Sequence, residues 1–373
     1  MSSKKIAIVC HNFPPFTSGV ADHTHLLGEA LQKSNSVIVL TAYQKKYETT
    51  SLKVIPCFDK SKPWTLMRLW DIVRQNRVDQ LLLQYDPFAY GSNYGINPFI
   101  IWGMRRIRTI LPSIKIGLIV HETFIPRKDF KRHLLSNYLV WQLRKVIDVT
   151  DVVFTPVESW AKIIQNWFPD KTVIHLPVGS NLPIFPTDSV SEKQRFSISP
   201  DQIVLGMFGR IRRVPNIELV RVSIEKLQKE KFNPLLFYVG LEAMYASEAF
   251  AGLPYLAHGP LSGEEISRRF HAMDIFLCPV EEGISCRRGT LAAAVQHGLP
   301  VVATWGEITD NLLRQLDGDA FLLAENTSPS LFADQVFQLA SNFQLRQKIK
   351  KGAETYAAQI AWPALAELVS HAM

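Results

Sequence analysis

The chain has 373 residues, 47% of them hydrophobic and 20% charged, and a formal net charge of +7. This is the composition of a globular protein, and the length exceeds what one core usually serves, so two domains are expected. Four scattered cysteines (Cys10, Cys57, Cys278, Cys286) form no CxxC or CxxxC pair, which argues against a zinc site or disulfide framework and fits a reducing cytosol.

No apolar run approaches the ~20 residues of a membrane span. Residues 6–10 read as a first strand rather than a signal peptide. The loop that follows, His11-Asn12-Phe13-Pro14-Pro15-Phe16-Thr17-Ser18-Gly19, is stiffened by two prolines. Beside Ser18, Gly19 opens the next helical pattern, where a missing side chain lets backbone approach a phosphate or a sugar. A plain βα turn is the alternative. Further strands are expected at 36–40, 80–84, 116–120, 152–155 and 172–175, with helical periodicity at 20–33 and 64–74. The loop from Gln84 to Gly95 brings Tyr85 and Tyr90, which suit stacking on a sugar ring and equally a packed Ω-loop. The strand at 116–120 ends on His121, delivered into the crevice at the carboxyl end of a sheet. Glu122 follows, either as a surface carboxylate or as an acceptor contact.

Residues 127–147 form a helical pattern with Phe130, Leu134, Tyr138 and Trp141 on one stripe, spacing that predicts burial in the core. Around it stand Arg127, Lys128, Lys131, Arg132, Arg144 and Lys145. Residues 1–185 hold 23 Lys and Arg against 13 Asp and Glu, or +10; residues 186–373 hold 18 against 21, or −3. The two halves are therefore expected to meet different partners. A basic half attracts an anionic lipid surface or an acidic substrate. No nucleic-acid module is recognisable, because the aromatic residues follow core periodicity.

The proline-rich segment 183–200 reads as a linker. Beyond it strands are expected at 203–208, 235–239, 275–279 and 301–304, with a helix at 217–229. Gly209 and Arg210 end the first of these, and a guanidinium there offers a fork of donors to phosphate oxygens. The absence of G-x-G-x-x-G removes the main support for a nicotinamide or flavin site. Residues 281–304 are the most informative: an acidic loop with Glu282 and Gly283 opens an alanine-rich helix from about Arg288 to His297, and Gly298 and Pro300 end it. A helix N-terminus beside a carboxylate suits a ligand with anionic phosphate and neutral hydroxyls, such as a sugar nucleotide.

These motifs resemble retaining glycosyltransferases of the GT-B fold, glycosyltransferase family 4, over nearly the whole chain and most closely at 255–305. The resemblance implies an α/β architecture of two doubly wound Rossmann-like domains facing a central cleft. It implies an acceptor-side domain over 1–185, completed by a returning helix at 356–373, and a nucleotide-sugar domain over 186–355. The opening loop is similar to the family's FPP…GGV, with Ser18 for the first glycine. By resemblance His121 contacts the transferred sugar, Arg210 faces the diphosphate, and Gly259 and Leu261 lie near the base. Glu282 matches the first glutamate of the family's pair, which binds donor-sugar hydroxyls, while Gly283, Ile284, Ser285, Arg288 and Thr290 fall in the same donor loop.

Two positions depart from the family. Thr290 replaces the second glutamate, and a hydroxyl cannot accept from both ribose hydroxyls at once. Pro215 replaces the usual lysine, leaving Arg212, Arg213 or Arg288 to supply the charge. The implied activity transfers sugar from a nucleoside diphosphate sugar to a glycan, lipid-linked or small-molecule acceptor, with no metal or other cofactor. The expected location is cytoplasmic, with peripheral attachment at the membrane face. A non-catalytic sugar-nucleotide-binding subunit is the other reading.

Overall fold

A computed structural model describes residues 3–16, 18–44, 47, 50–90, 96–123, 130–210 and 217–373. The chain divides into two units, Met1–Pro177 with Trp362–Met373, and Val178–Ala361. Both are parallel α/β Rossmann-like domains.

In the first unit seven strands, β1 (Lys5–Cys10), β2 (Ser36–Ala42), β3 (Lys53–Phe58), β4 (Gln80–Tyr85), β5 (Lys115–Val120), β6 (Val152–Thr155) and β7 (Thr172–His175), run in the order β3-β2-β1-β4-β5-β6-β7. Both faces of the central strands are covered, which is why they read as unbroken apolar runs. The second unit holds β8 (Gln202–Phe208), β9 (Asn233–Val239), β10 (Tyr255–His258), β11 (Ile275–Cys278), β12 (Val301–Trp305) and β13 (Phe321–Glu325), ordered β10-β9-β8-β11-β12-β13. In each sheet the order reverses once, at β1/β4 and at β8/β11. Ligands of such folds bind outside the carboxyl ends of strands at that reversal.

Every strand expected from sequence is present. Three more, β3, β10 and β13, are edge strands. Pro56 within β3 is tolerated there because an edge strand has a side with no ladder to complete.

Segment 183–200 is not a slack linker. Leu182 lies in the second unit's core, Phe185 N donates to Ser267 Oγ at 2.8 Å, and the helix Ser189–Arg195 is tied by Lys193 Nζ to Asp274 Oδ2 at 2.7 Å. The chain crosses between units at 177/178 instead of 185/186. The returning helix likewise begins at Trp362, because Tyr356 is held in the second unit's core edge-on to Phe321. Leu365, Ala366 and Val369 of Trp362–Ala372 then pack with Leu27 and Leu31 of the helix Gly19–Gln32.

The helix Phe130–Ile147 departs from expectation in its orientation. Its buried residues are Ser136, Leu139, Gln142, Leu143, Val146 and Ile147. Phe130 is 76% exposed, Leu134 55% and Trp141 46%. The helix carries two candidate stripes, and the one ending in Leu143, Val146 and Ile147 reaches the sheet core. The first turns are left in solvent.

Candidate functional site

In the second unit the carboxyl ends of β8 and β11 enclose a cavity of about 500 Å3, lined among others by Gly209, Arg210, Glu282, Arg287, Arg288 and Thr290. It falls at the reversal of strand order. Gly209 has φ +113°, donates its N–H to Val239 O at 3.0 Å and accepts from the Tyr238 hydroxyl at 2.5 Å. Those bonds aim the chain out of β8 so that Arg210 emerges exposed, with no ion pair among the described residues.

Glu282 sits on a braced loop. Gly283 has φ +89°, and a Cβ there would lie 2.3 Å from Gly306 N and 2.4 Å from Thr309 Oγ1, so only glycine lets the two loops pass. Ile284 N donates to Thr304 O at 2.8 Å, and Cys286 N to Asp310 Oδ2 at 2.6 Å. Glu282 Oε1 meets Arg288 Nη2 at 2.5 Å and Arg287 Nη2 at 3.5 Å. Arg288 Nε is buried with no hydrogen-bond partner among the described residues.

Arg288 is also the N-cap of the helix Gly289–Gln296, which has no side-chain cap. With no cap from that side chain, its first N–H groups suit an anion. With three arginines against one glutamate, the cavity is positive. Thr290 places its methyl 3.4 Å from where a Gly209 Cβ would stand, and burial pushes the nearby Cys278 thiol up to about 11.

Three of the expected donor-loop residues lie behind the cavity wall. Gly283, Ile284 and Ser285 are buried and do not line the cavity. The backbone N–H of Ile284 bonds Thr304 O, that of Cys286 bonds Asp310 Oδ2, and the Ile284 side chain lies in the core. Gly259 and Leu261 follow the edge strand β10 and do not line it either; Leu261 packs against the core. Arg212, Arg213 and Pro215 lie outside the described residues.

In the first unit, Ser18 caps the helix Gly19–Gln32, its hydroxyl accepting from Ala21 N at 3.2 Å. A Cβ on the exposed Gly19 would meet open space. His121 extends the β4–β5 ladder through its N–H to Tyr85 O at 2.8 Å, and Glu122 beside it is partly buried. Tyr85 and Tyr90, expected on the acceptor side, are core residues at 0% and 3% exposure. Tyr85 is the last residue of a central strand and its hydroxyl accepts from Gln142 Nε2 at 3.2 Å, while the Tyr90 hydroxyl closes its own loop on Gln84 O at 2.7 Å.

Residues 202–342 match the family described as glycosyl transferases group 1. Together with the fold, the match supports the GT-B glycosyltransferase superfamily. The chain is 24% identical over 321 residues to a D-inositol 3-phosphate glycosyltransferase of Paenarthrobacter aurescens, spanning 80% of this chain and 75% of the relative. Among solved structures it resembles sucrose-phosphate synthase from Thermosynechococcus elongatus, with a TM-score of 0.74 at 13% identity over 99% of this chain and 98% of that one. It also resembles Anabaena HepE solved with UDP and glucose, with a TM-score of 0.67 at 13% identity over 99% and 98%. Those likenesses establish the fold.

This GT-B chain also holds residues that sequence patterns passed over. His11 follows β1, His23 stands edge-on to His121 with ring centroids 4.9 Å apart, and Gln84 contacts His121. Burial holds His23 down to about 4; burial and then Lys60 do the same for His11. The signal was present for Gln84, a polar residue within the run Leu81-Leu82-Leu83-Gln84-Tyr85.

Proposed function

We propose that the protein is a retaining glycosyltransferase that moves a sugar from a nucleoside diphosphate sugar to a glycan, lipid-linked or small-molecule acceptor. The observation that carries the reading is the cavity where Gly209, Arg210, Glu282, Arg288 and a bare helix N-terminus converge. Arg210, the spare Nε of Arg288 and the helix N–H groups stabilise charge on the departing diphosphate, which is electrostatic catalysis. Glu282 accepts from sugar hydroxyls, and the family resemblance assigns His121 to the transferred sugar. Cationic side chains and a helix end take the role that a metal fills elsewhere. Thr290 supplies a hydroxyl where relatives of this motif carry a carboxylate, so ribose recognition is weaker here. Thermal-shift screening of nucleoside diphosphate sugars, followed by release of free nucleoside diphosphate, tests the proposal. Binding without turnover by any donor, with or without glycan and lipid acceptors, refutes catalysis and leaves a binding subunit.

The outward face of Phe130–Ile147 supports attachment to an anionic lipid surface. Exposed Phe130, Leu134 and Trp141 share that helix with exposed Lys131, Arg132 and Arg144. The first unit carries 23 basic against 14 acidic residues, +9. Each basic residue near such a surface contributes ~1 kcal/mol. Changing Lys131 and Arg132 to Ser is expected to weaken binding to anionic vesicles in a salt-sensitive manner. Equal partitioning onto neutral vesicles at low salt overturns this part of the reading. Among the described residues no helix is long and apolar enough to cross a membrane.

A further inference from the structure

Within β4, Gln84 is fully buried between leucines and Tyr85. Its Oε1 lies 2.6 Å from His121 Nε2, while its own Nε2 has no hydrogen-bond partner among the described residues. A buried amide is costly unless its polar atoms do something specific. The register explains how the two side chains meet: Gln84 pairs with Ile119 and Tyr85 with Val120, so His121 continues β5 just past the end of β4.

The groups around the imidazole are mostly neutral or basic. His23 stands edge-on to it from the helix Gly19–Gln32, itself backed by Trp362 at 5.1 Å, and His11 approaches from the end of β1 with Lys60 beyond it. Asp86 follows β4 and turns its Oδ1 to Phe88 N at 2.8 Å; Glu122 follows His121 and has contacts of its own. Burial first, then His23 and His11, hold His121 well below the usual histidine range. A neutral imidazole has one N–H and one lone pair, and the partner of one nitrogen decides what the other presents.

We propose that Gln84 is a positioning residue that selects the Nε2–H tautomer of His121, so that Nδ1 presents a lone pair and accepts a hydrogen bond from a ligand hydroxyl. That the hydroxyl belongs to the transferred sugar rests on the function proposed above; the tautomer does not.

The test is long-range proton–nitrogen correlation on the full-length protein with labelled histidine, the His121 signal being identified by its loss in His121→Asn. The expected wild-type spectrum has a protonated Nε2 and a bare Nδ1 from pH 8 to pH 5. Gln84→Met is expected to bring in the Nδ1–H form and to lower kcat about tenfold. Gln84→Glu sets a carboxylate against Nε2, so His121 should titrate near neutrality and carry the acidic limb of donor turnover up by about one pH unit. An Nδ1–H signal in the wild type overturns the proposal. So does an unchanged tautomer in Gln84→Met. An Nδ1–H wild type overturns the proposal even where a variant fails to fold. A wild type that turns over no donor removes the transferase reading and leaves the tautomer assignment to stand or fall on its own spectrum.

Discussion

Replacing Glu282 by Gln should have opposite effects on bare nucleoside diphosphate and on the sugar donor. In the structure Glu282 holds Arg288 at 2.5 Å, with 41% and 32% of the two side chains exposed. Ion pairs exposed to that degree contribute about 0.2–1 kcal/mol. If the Arg288 guanidinium turns toward phosphate on binding, breaking the pair opposes binding by that sum in the wild type, whereas Glu282→Gln has no ion pair to break. Bare nucleoside diphosphate should then bind up to about fivefold more tightly, at ~1.4 kcal/mol per tenfold. Calorimetry resolves such a change. The donor should behave otherwise, because a carboxylate accepting from sugar hydroxyls is replaced by a neutral amide; a loss of ~2.7 kcal/mol in the transition state is about a hundredfold in turnover. The loop should be unaffected, since its bracing comes from Ile284 N, Cys286 N and Gly283, none of which uses the Glu282 side chain. Weaker binding of bare nucleoside diphosphate, or turnover near normal, would refute this account of Glu282.

Arg210→Ala removes a cation that no ion pair occupies among the described residues, so nucleoside diphosphate affinity should fall by about 2 kcal/mol with little change in thermal midpoint; unchanged affinity by calorimetry assigns the phosphate to other arginines. Gly283→Ala combines a left-handed φ of +89° with contact at 2.3 Å to Gly306 N, and should cost about 2 kcal/mol or more in denaturant unfolding while abolishing donor binding. Stability should also fall as pH drops. His11, His23 and His297 are held by burial at about 4, below their unfolded value near 6.5, so the unfolded chain takes up protons first. Their stabilising effect is complete above pH 6.5 and is lost progressively toward pH 4, up to ~3 kcal/mol each. Unfolding midpoints that stay level from pH 6.5 to pH 5 contradict this, and His23→Phe should flatten the slope.

The alternation of apolar runs and helical periods is a local property, and it was enough to determine the two parallel α/β units, every central strand and the loop–helix pair that carries Glu282 and Arg288. Gly298 was legible for the same reason: past the helix end it takes the positive φ that side chains resist. What the tertiary structure decided is which face each element covers and which polar groups meet. Phe130, Leu134 and Trp141 have the spacing of a core stripe, yet a second stripe on the same helix reaches the sheet. Tyr85 and Tyr90 look like a stacking platform until strand order places them beneath the sheet's neighbours. Ile284 belongs to a ligand motif by sequence and to the core by packing, its N–H held by Thr304 O of β12. Three of the four edge strands, β3, β10 and β13, escaped notice. The Gln84–His121 contact joins residues 37 positions apart, and only the register of β4 on β5 brings an amide to an imidazole.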